Sequence, residues 1–442
     1  MKNRLLIILF TVLFIVCGCS KKADDEAIEP EAIEDETLVL GDERFDEYLP
    51  YLKDKRVALF TNQTGIVGNV VYGLGDSNDL IPFGYDSNGN ALEYGEHILD
   101  ALIDRGVNVT CVFSPEHGFR GTGDAGANID DSIDEKTGVP ILSLYAEGSN
   151  YPALEDMDRF DTLVVDMQDV GLRYYTYYIS MYYLMDACAQ NNKTVIILDR
   201  PNPNGFYVDG PILKEEYHSN VGILPIPVVY GMTWGELATM INKEDWLEAG
   251  KDSCDLIIIP CENYTHQTKT DLIVRPSPNL KDMRAVYLYS STCFFENTLV
   301  TVGRGTDYPF EIYGSPYLEG VEGNEYTFTP VSMDGATSPV FEDEACYGVN
   351  LRDIPIEEIW NNQINLEYII NAYKQIHEKY PDKDFFGTPD DRGYYWIDYL
   401  SGSDSLRKMI IDGKSASEIK ETWQDDIESF KALRSKYLLY SE

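Results

Sequence analysis

From about residue 50 to residue 261 the chain alternates short apolar runs with amphipathic segments. "KRVALFTNQ" predicts a strand, and a glycine-rich stretch follows to about Asn90. "YGEHILDALIDRG" puts Ile98, Leu99, Leu102 and Ile103 on one helical face and stops at Gly106. "VNVTCVF", "DTLVVDMQ", "KTVIILD" and "CDLIIIPC" predict further strands. Between them lie the helix-like "YTYYISMYYLMDACAQNN" and "TWGELATMINKEDWL". The second opens on Thr233 with Glu236 three residues on, the pattern of a capping box. Continuous β-branched runs between amphipathic helices predict a mostly parallel sheet covered on both faces.

After about residue 280 the pattern changes. "AVYLYSSTCFFENTLVTVGRGTDYPFEIYGSP" reads as strands and loops. A helical region is predicted from Ile356 to about Tyr380, and "SASEIKETWQDDIESFKALRSKYLLY" reads as one long helix with Ile419, Trp423, Ile427 and Phe430 on a stripe. The predicted fold class is α/β: a mostly parallel sheet domain over residues 44–280, then a smaller α+β domain over 281–442; the family resemblance given below implies that the first is Rossmann-like and that the second closes a cleft.

The N-terminus changes the picture of where the chain works. "MKNR" precedes the apolar run "LLIILFTVLFIV", which has signal-peptide length rather than spanning length. The run ends in Val16-Cys17-Gly18-Cys19, which resembles a bacterial lipobox with Cys19 as the acylated residue; an ordinary cleaved signal is the alternative. Residues 1–18 are then a lipoprotein signal peptide, and 19–43, with its acidic "KADDEAIEPEAIEDE", a flexible linker. The expectation is an exported lipoprotein held in the cell envelope by a lipid anchor alone, on the periplasmic or extracellular face. A formal net charge of −40 argues against nucleic acid as a partner and requires any anionic substrate to meet local arginines. Tyrosine outnumbers phenylalanine 32 to 17, a bias that suits sugar binding and equally suits sheet packing. Cys111, Cys188, Cys254, Cys261, Cys293 and Cys346 form no CxxC pair or zinc spacing.

In parallel sheets with helical crossovers, ligands bind beyond the carboxyl ends of the strands. Four predicted strands end in polar segments: Thr61-Asn62-Gln63-Thr64, Ser114-Pro115-Glu116-His117, Asp166-Met167-Gln168-Asp169, and Asp199-Arg200-Pro201-Asn202-Pro203-Asn204. Parallel topology brings them to one edge. Arg120, Arg173, Tyr174, Tyr175 and Thr176 follow closely. Each has a structural alternative. Glu116 can pair with Arg120 across a loop, and His117 can be a satisfied loop histidine. Asp166 and Asp199 can hold loops, and Asn202 and Asn204, beside prolines, can serve rigid turns. "GTGDAG", Gly121 to Gly126, matches a dinucleotide-binding pattern but does not join a strand to a helix, so no nucleotide cofactor follows. No phosphate-binding loop or G-x-S-x-G is present, and five histidines without an H-x-x-x-H pair give no metal site.

"FSPEHGFRG", "DMQDVGLRYYTYY", "LDRPNPNG", "GMTWGELA", "RPSPNL" and "VGRGTDYPFE" occur in that order. Together they resemble the exo-β-N-acetylmuramidase (NamZ-like) family of peptidoglycan recycling, formerly a domain-of-unknown-function family. The resemblance runs from about residue 50 to "RSKYLLY". It implies a Rossmann-like N-terminal domain, a smaller C-terminal domain, and release of N-acetylmuramic acid from the non-reducing ends of peptidoglycan fragments, without a cofactor. It makes Glu116 the catalytic acid, with His117 beside it, and brings Glu296, Arg304 and Thr306 of the second domain to the substrate. Departures are Asn297-Thr298-Leu299 where a Gly-Thr-Asn-like run is expected, Tyr230 where His is frequent, and an apparent insertion from Val71 to Asn90.

The chemistry fits. Glycoside hydrolysis needs a carboxylic acid to protonate the leaving oxygen. Muramic acid carries a lactyl carboxylate, which a guanidinium at Arg173 or Arg304 matches. The alternatives are an enzyme acting on another amino sugar or on the lactyl ether, and a non-catalytic lipoprotein that binds muropeptides.

Overall fold

The computed structural model describes residues 37–68, 70–72, 96–115, 119, 131–144 and 151–442. Cys19, Glu116, His117 and Arg120 lie outside the described residues, as do Gly121 to Gly126 and most of the Val71 to Asn90 stretch.

The strands are β1 (Arg56–Thr61), β2 (Val70–Tyr72), β3 (Asn108–Ser114), β4 (Ser132–Ile133), β5 (Pro140–Ser143), β6 (Thr162–Asp166), β7 (Thr194–Leu198), β8 (Asp255–Ile259), β9 (Thr270–Leu272), β10 (Ile312–Ser315), β11 (Tyr326–Phe328) and β12 (Cys346–Asn350). Among the described residues seven of them form one sheet in the order β4-β5-β3-β1-β6-β7-β8, parallel except for the β4 edge. The chain builds outward from β1 through β3 to β5, then returns to β1's other side with β6 and continues to β8. The order therefore reverses between β1 and β6, the place where doubly wound sheets open a crevice.

Helices cover both faces because alternate strand residues are apolar on both. On one side α1 (Phe45–Leu52) and α2 (Ile98–Asp104) place Tyr48, Leu52, Ile98 and Leu102 against Val57, Leu59, Val112 and Val164. After the single turn α3 (Leu154–Met157), α4 (Tyr177–Gln190) and α5 (Trp234–Lys243) cover the other, with Leu184, Leu237 and Ile241 in the core that holds Phe60, Phe113 and Val165. The capping box at Thr233 and Glu236 forms as expected.

The second region holds the antiparallel sheet β10-β12-β11 and the helices α6 (Met283–Thr292), α7 (Ile356–Asn362), α8 (Glu367–Lys379), α9 (Trp396–Ser401), α10 (Ser405–Ile411), α11 (Ala416–Glu421) and α12 (Gln424–Arg434). Two expectations change here, while the helical region 356–380 forms as predicted. The segment read as strand and loop opens with α6, whose N-terminus is capped by the Asp282 carboxylate accepting from Ala285 N–H at 2.7 Å. Nearly all of α6 is buried, so it has no polar face to mark a helical period. The region 356–380 divides into α7 and α8 at Gln363, whose φ is 55°. The C-terminal helix is two helices broken at Thr422 and Trp423, yet its stripe of Ile419, Trp423, Ile427 and Phe430 is buried as expected.

Residues 37–442 form one compact unit, which corrects the end of the expected linker. Leu38, Leu40 and Asp42 are buried, and Val39 pairs with Glu262. Gly41 passes so close to the sheet that a Cβ would lie 2.4 Å from Ile259 O. The chain thus enters the core before residue 43.

Candidate active site

The β1, β3 and β6 ends meet at the sheet reversal. Thr61 pairs with Asp166, and Phe60 with Phe113, which sets Ser114 level with Thr61. The turn after β1 is braced by Asn62, whose Oδ1 accepts from Thr64 N–H at 2.9 Å and from its hydroxyl at 2.6 Å. Thr64 Oγ1 in turn accepts from Gln168 N–H at 3.0 Å, joining the β1 and β6 ends. Gln63 Nε2 donates to Arg275 O and Pro276 O, and Gln168 Nε2 to Asp169 O and Pro201 O.

Among the described residues, four buried polar atoms here have no hydrogen-bond partner: Asn62 Nδ2, Gln63 Oε1, Ser114 Oγ and Gln168 Oε1. A buried polar atom left unbonded costs about 1–3 kcal/mol. Such atoms are scarce in native proteins, so their clustering at one sheet edge makes it the candidate site.

Two routes lead from this edge to the second region. Tyr175 OH donates to Pro276 O at 2.6 Å, so the "RPSPNL" segment is gripped by Gln63 and Tyr175 together. Farther along, Lys281 Nζ donates to Thr306 O at 2.9 Å. On the second route Tyr174 OH donates to Tyr289 O and Ser290 O, and the Tyr289 ring packs on Phe310, 4.6 Å between centroids. The Arg304 guanidinium lies 4.9 Å from the Phe310 centroid. Thr176, half-buried, is the N-cap of α4.

Arg304 sits between Gly303 and Gly305, whose φ of 79° and 80° favour glycine. Thr306 closes the turn, its hydroxyl donating to Gly303 O at 2.6 Å. Glu296 Oε1 accepts from Arg304 Nε at 2.9 Å. Both side chains are about a quarter exposed, at 25 % and 26 %. Burial works against the guanidinium charge, but Glu296 holds its pKa above the ordinary value. Among the described residues the two terminal nitrogens of Arg304 bond to no acceptor, so the held, partly exposed guanidinium has donors to spare.

Other expected site residues serve the scaffold. Arg173 is fully buried and gives its terminal nitrogens to Pro211 O, Ile226 O and Leu400 O at 2.6–2.9 Å. Burial lowers its pKa to about 10, which leaves it charged at neutral pH. The expectation that it meets a substrate carboxylate is therefore corrected: it is buried, its terminal nitrogens are spent on carbonyls from three segments, and Nε, also buried, has no partner among the described residues. Asn202 binds Met232 O and accepts from Asn204 N–H, while Asn204 Nδ2 binds Val170 O. Both asparagines tie the β6 and β7 ends together, the rigid-turn alternative. Gly171 packs on Asn202 so closely that a Cβ would lie 2.1 Å from its Oδ1.

Asp166 and Asp199 also hold structure. Arg200 bridges Asp166 Oδ1 and Asp42 Oδ2, both at 2.6 Å and all fully or nearly buried. Burial opposes the Arg200 charge, but the two carboxylates hold it up, and burial raises Asp42 in turn. Asp42 was invisible as a site-supporting residue in the sequence, where it looks like one more linker acid. Asp199 anchors α5 and the C-terminus through Thr233 Oγ1, Gly235 N–H and Tyr440 OH.

Asp169 accepts from Gly171 N–H at 2.8 Å and from the Tyr230 hydroxyl. Burial pushes its carboxyl up to about 6, against the lowering effect of the Tyr230, Gly171, Val170 and Trp234 donors. An acid whose pKa rises on folding stabilises fully below its unfolded value, here 3.8, and loses that stabilisation as pH climbs through about 6. Asp169→Asn removes the titrating proton at nearly constant shape. Urea unfolding between pH 4 and 7 should show wild type losing on the order of 3 kcal/mol relative to the variant. Parallel stability profiles would contradict this.

Among the described residues no group of three His, Cys, Asp or Glu is placed to hold a metal ion.

The family model described as exo-β-N-acetylmuramidase NamZ, N-terminal, matches residues 85–284, and its C-terminal counterpart matches 287–440. The curated peptidoglycan β-N-acetylmuramidase NamZ of Bacillus subtilis (strain 168) is 34% identical over 409 residues, covering 89% of each chain. A crystal structure of a DUF1343 family protein from Bacteroides fragilis NCTC 9343 superposes with a TM-score of 0.75 at 48% identity, over 92% of this chain and 99% of that one. A second from the same organism gives 0.70 at 26% identity, over 91% and 99%. With both halves matched in order and a relative aligned along most of its length, this chain belongs to the exo-β-N-acetylmuramidase NamZ family.

Proposed function

We propose that the protein is a glycoside hydrolase that releases N-acetylmuramic acid from the non-reducing ends of peptidoglycan fragments. Membership of the NamZ family supports hydrolysis of a peptidoglycan glycosidic bond. The observation that carries the reading to this chain's own residues is the set of buried polar atoms on Asn62, Gln63, Ser114 and Gln168 that have no partner among the described residues, together with the spare donors of Arg304. A sugar supplies hydroxyl and acetamido groups for the first and, if it is muramic acid, a carboxylate for the second. Glu116, next but one after Ser114, protonates the departing oxygen. Glu296 fixes the guanidinium through Nε, so the two terminal nitrogens can take both carboxylate oxygens.

Arg304→Ala removes a charged hydrogen-bond partner, worth about 1.5–3 kcal/mol, or roughly ten- to a hundredfold in binding. KM for muramic acid substrates should rise by that factor, and N-acetylglucosaminides, which lack the lactyl group, should be affected much less. Equal losses on both would remove Arg304 from carboxylate recognition. The exo mode is tested on glycan chains with a muramic acid terminus: one free sugar released per event is expected, and internal fragments without free N-acetylmuramic acid would contradict it.

A further inference from the structure

The turn that carries Arg304 continues into an exposed apolar rim. Tyr308 is 37 % exposed, Val331 42 % and Val340 48 %. The three belong to one cluster of loops. Tyr308 N–H donates to Thr306 Oγ1 at 3.1 Å, and Val331 N–H donates to Gly305 O at 2.8 Å. Gly305 is packed so that a Cβ would come within 2.7 Å of Pro339 and of Val331 O, so turn and rim are closely packed together.

The Arg352 guanidinium lies 3.7 Å from the Tyr308 ring centroid and covers one face of the ring. This cation–π contact fixes the ring's orientation while more than a third of the residue remains in solvent. Four neighbouring aromatic side chains are committed elsewhere. Tyr174 and Tyr175 donate to carbonyls, and Tyr289 and Phe310 are buried against each other.

We propose that Tyr308, held by Arg352, is the stacking platform for the sugar ring on the leaving-group side of the scissile bond. The inference rests on the glycosidase reading above. Tyr308 lies four residues beyond Arg304 in the same turn, so a sugar joined to a muramic acid held at Arg304 comes within reach of its ring. The C–H face of a pyranose is apolar and packs on an aromatic ring, while its equatorial hydroxyls point outward to water. A peptide stem, the other apolar-tolerant part of the substrate, hangs from the muramic acid itself and does not depend on the leaving sugar.

The test compares wild type, Tyr308→Ala and Tyr308→Phe. N-acetylmuramyl-β-1,4-N-acetylglucosamine is the substrate, and methyl β-N-acetylmuramide, which has no leaving-side sugar, is the competitive inhibitor. Tyr308→Ala should raise KM for the disaccharide about five- to tenfold with kcat nearly unchanged, as expected for a uniform binding contact. The inhibition constant of the methyl glycoside should stay at the wild-type value, and Tyr308→Phe should behave as wild type. An unchanged KM, or an equal loss for the disaccharide and the methyl glycoside, would overturn the platform while leaving the glycosidase standing. Wild type that turns over no disaccharide would overturn both.

Discussion

Glu116→Gln is expected to slow hydrolysis of N-acetylmuramyl-β-1,4-N-acetylglucosamine by about 10²–10⁴-fold, the usual worth of general acid catalysis. The substitution keeps the side chain's shape and removes its transferable proton. Glu116 follows β3 by two residues, with Pro115 before it to restrict the backbone and Gly118 after it to limit bulk. A nitrophenyl muramide has a leaving group that is already stable as an anion, so its cleavage should suffer distinctly less. Equal slowing of both substrates would give Glu116 a charge-stabilising role instead. Slowing of less than about tenfold on the disaccharide would make it a loop residue and remove it from the site.

Arg200→Met is expected to cost about 3–5 kcal/mol of stability, because it strips the cation from two buried carboxylates. Asp42 and Asp166 both lie 2.6 Å from the guanidinium with no measurable exposure, and Ile66 O takes a third donor at 3.2 Å. Asp166 ends β6, immediately before Met167-Gln168-Asp169, so activity should fall with stability. Arg200→Lys should recover only part of the loss, since a single ammonium cannot bridge two carboxylates in the geometry of the planar fork. Chemical denaturation is the readout, and a loss below about 1 kcal/mol for Arg200→Met would refute the structural role assigned to the triad.

Five strands of the main sheet, β1, β3, β6, β7 and β8, were legible because each is an apolar run with polar residues collected at its carboxyl end, whereas β5 is short and β4 is only two exposed residues, and neither was predicted. Parallel direction then sufficed to gather Asn62, Gln63, Gln168 and Asp169 at one edge. What hid was whatever depended on partners far away in the chain. Asp42 and Arg200 are 158 residues apart, and nothing near Asp42 distinguishes it from the acids before it. Arg173 stands in a conspicuous polar motif, but its acceptors are backbone carbonyls as far off as Leu400, which leave no trace in side-chain pattern. Helix α6 hid for a different reason: a helix buried all round has no amphipathic period, and its Val, Tyr and Leu read equally well as strand. Arg304 showed itself only through the resemblance, and the Glu296 clamp that frees its terminal nitrogens appears only in three dimensions.

The most direct measurement is incubation of the purified protein with N-acetylmuramyl-β-1,4-N-acetylglucosamine, followed by mass spectrometry of the products. The account predicts equimolar free N-acetylmuramic acid and N-acetylglucosamine, with the lactyl group intact on the muramic acid. Recovery of unchanged disaccharide would make the protein a binder of muropeptides, and release of lactate with the glycosidic bond intact would make it an etherase; either result contradicts the central claim.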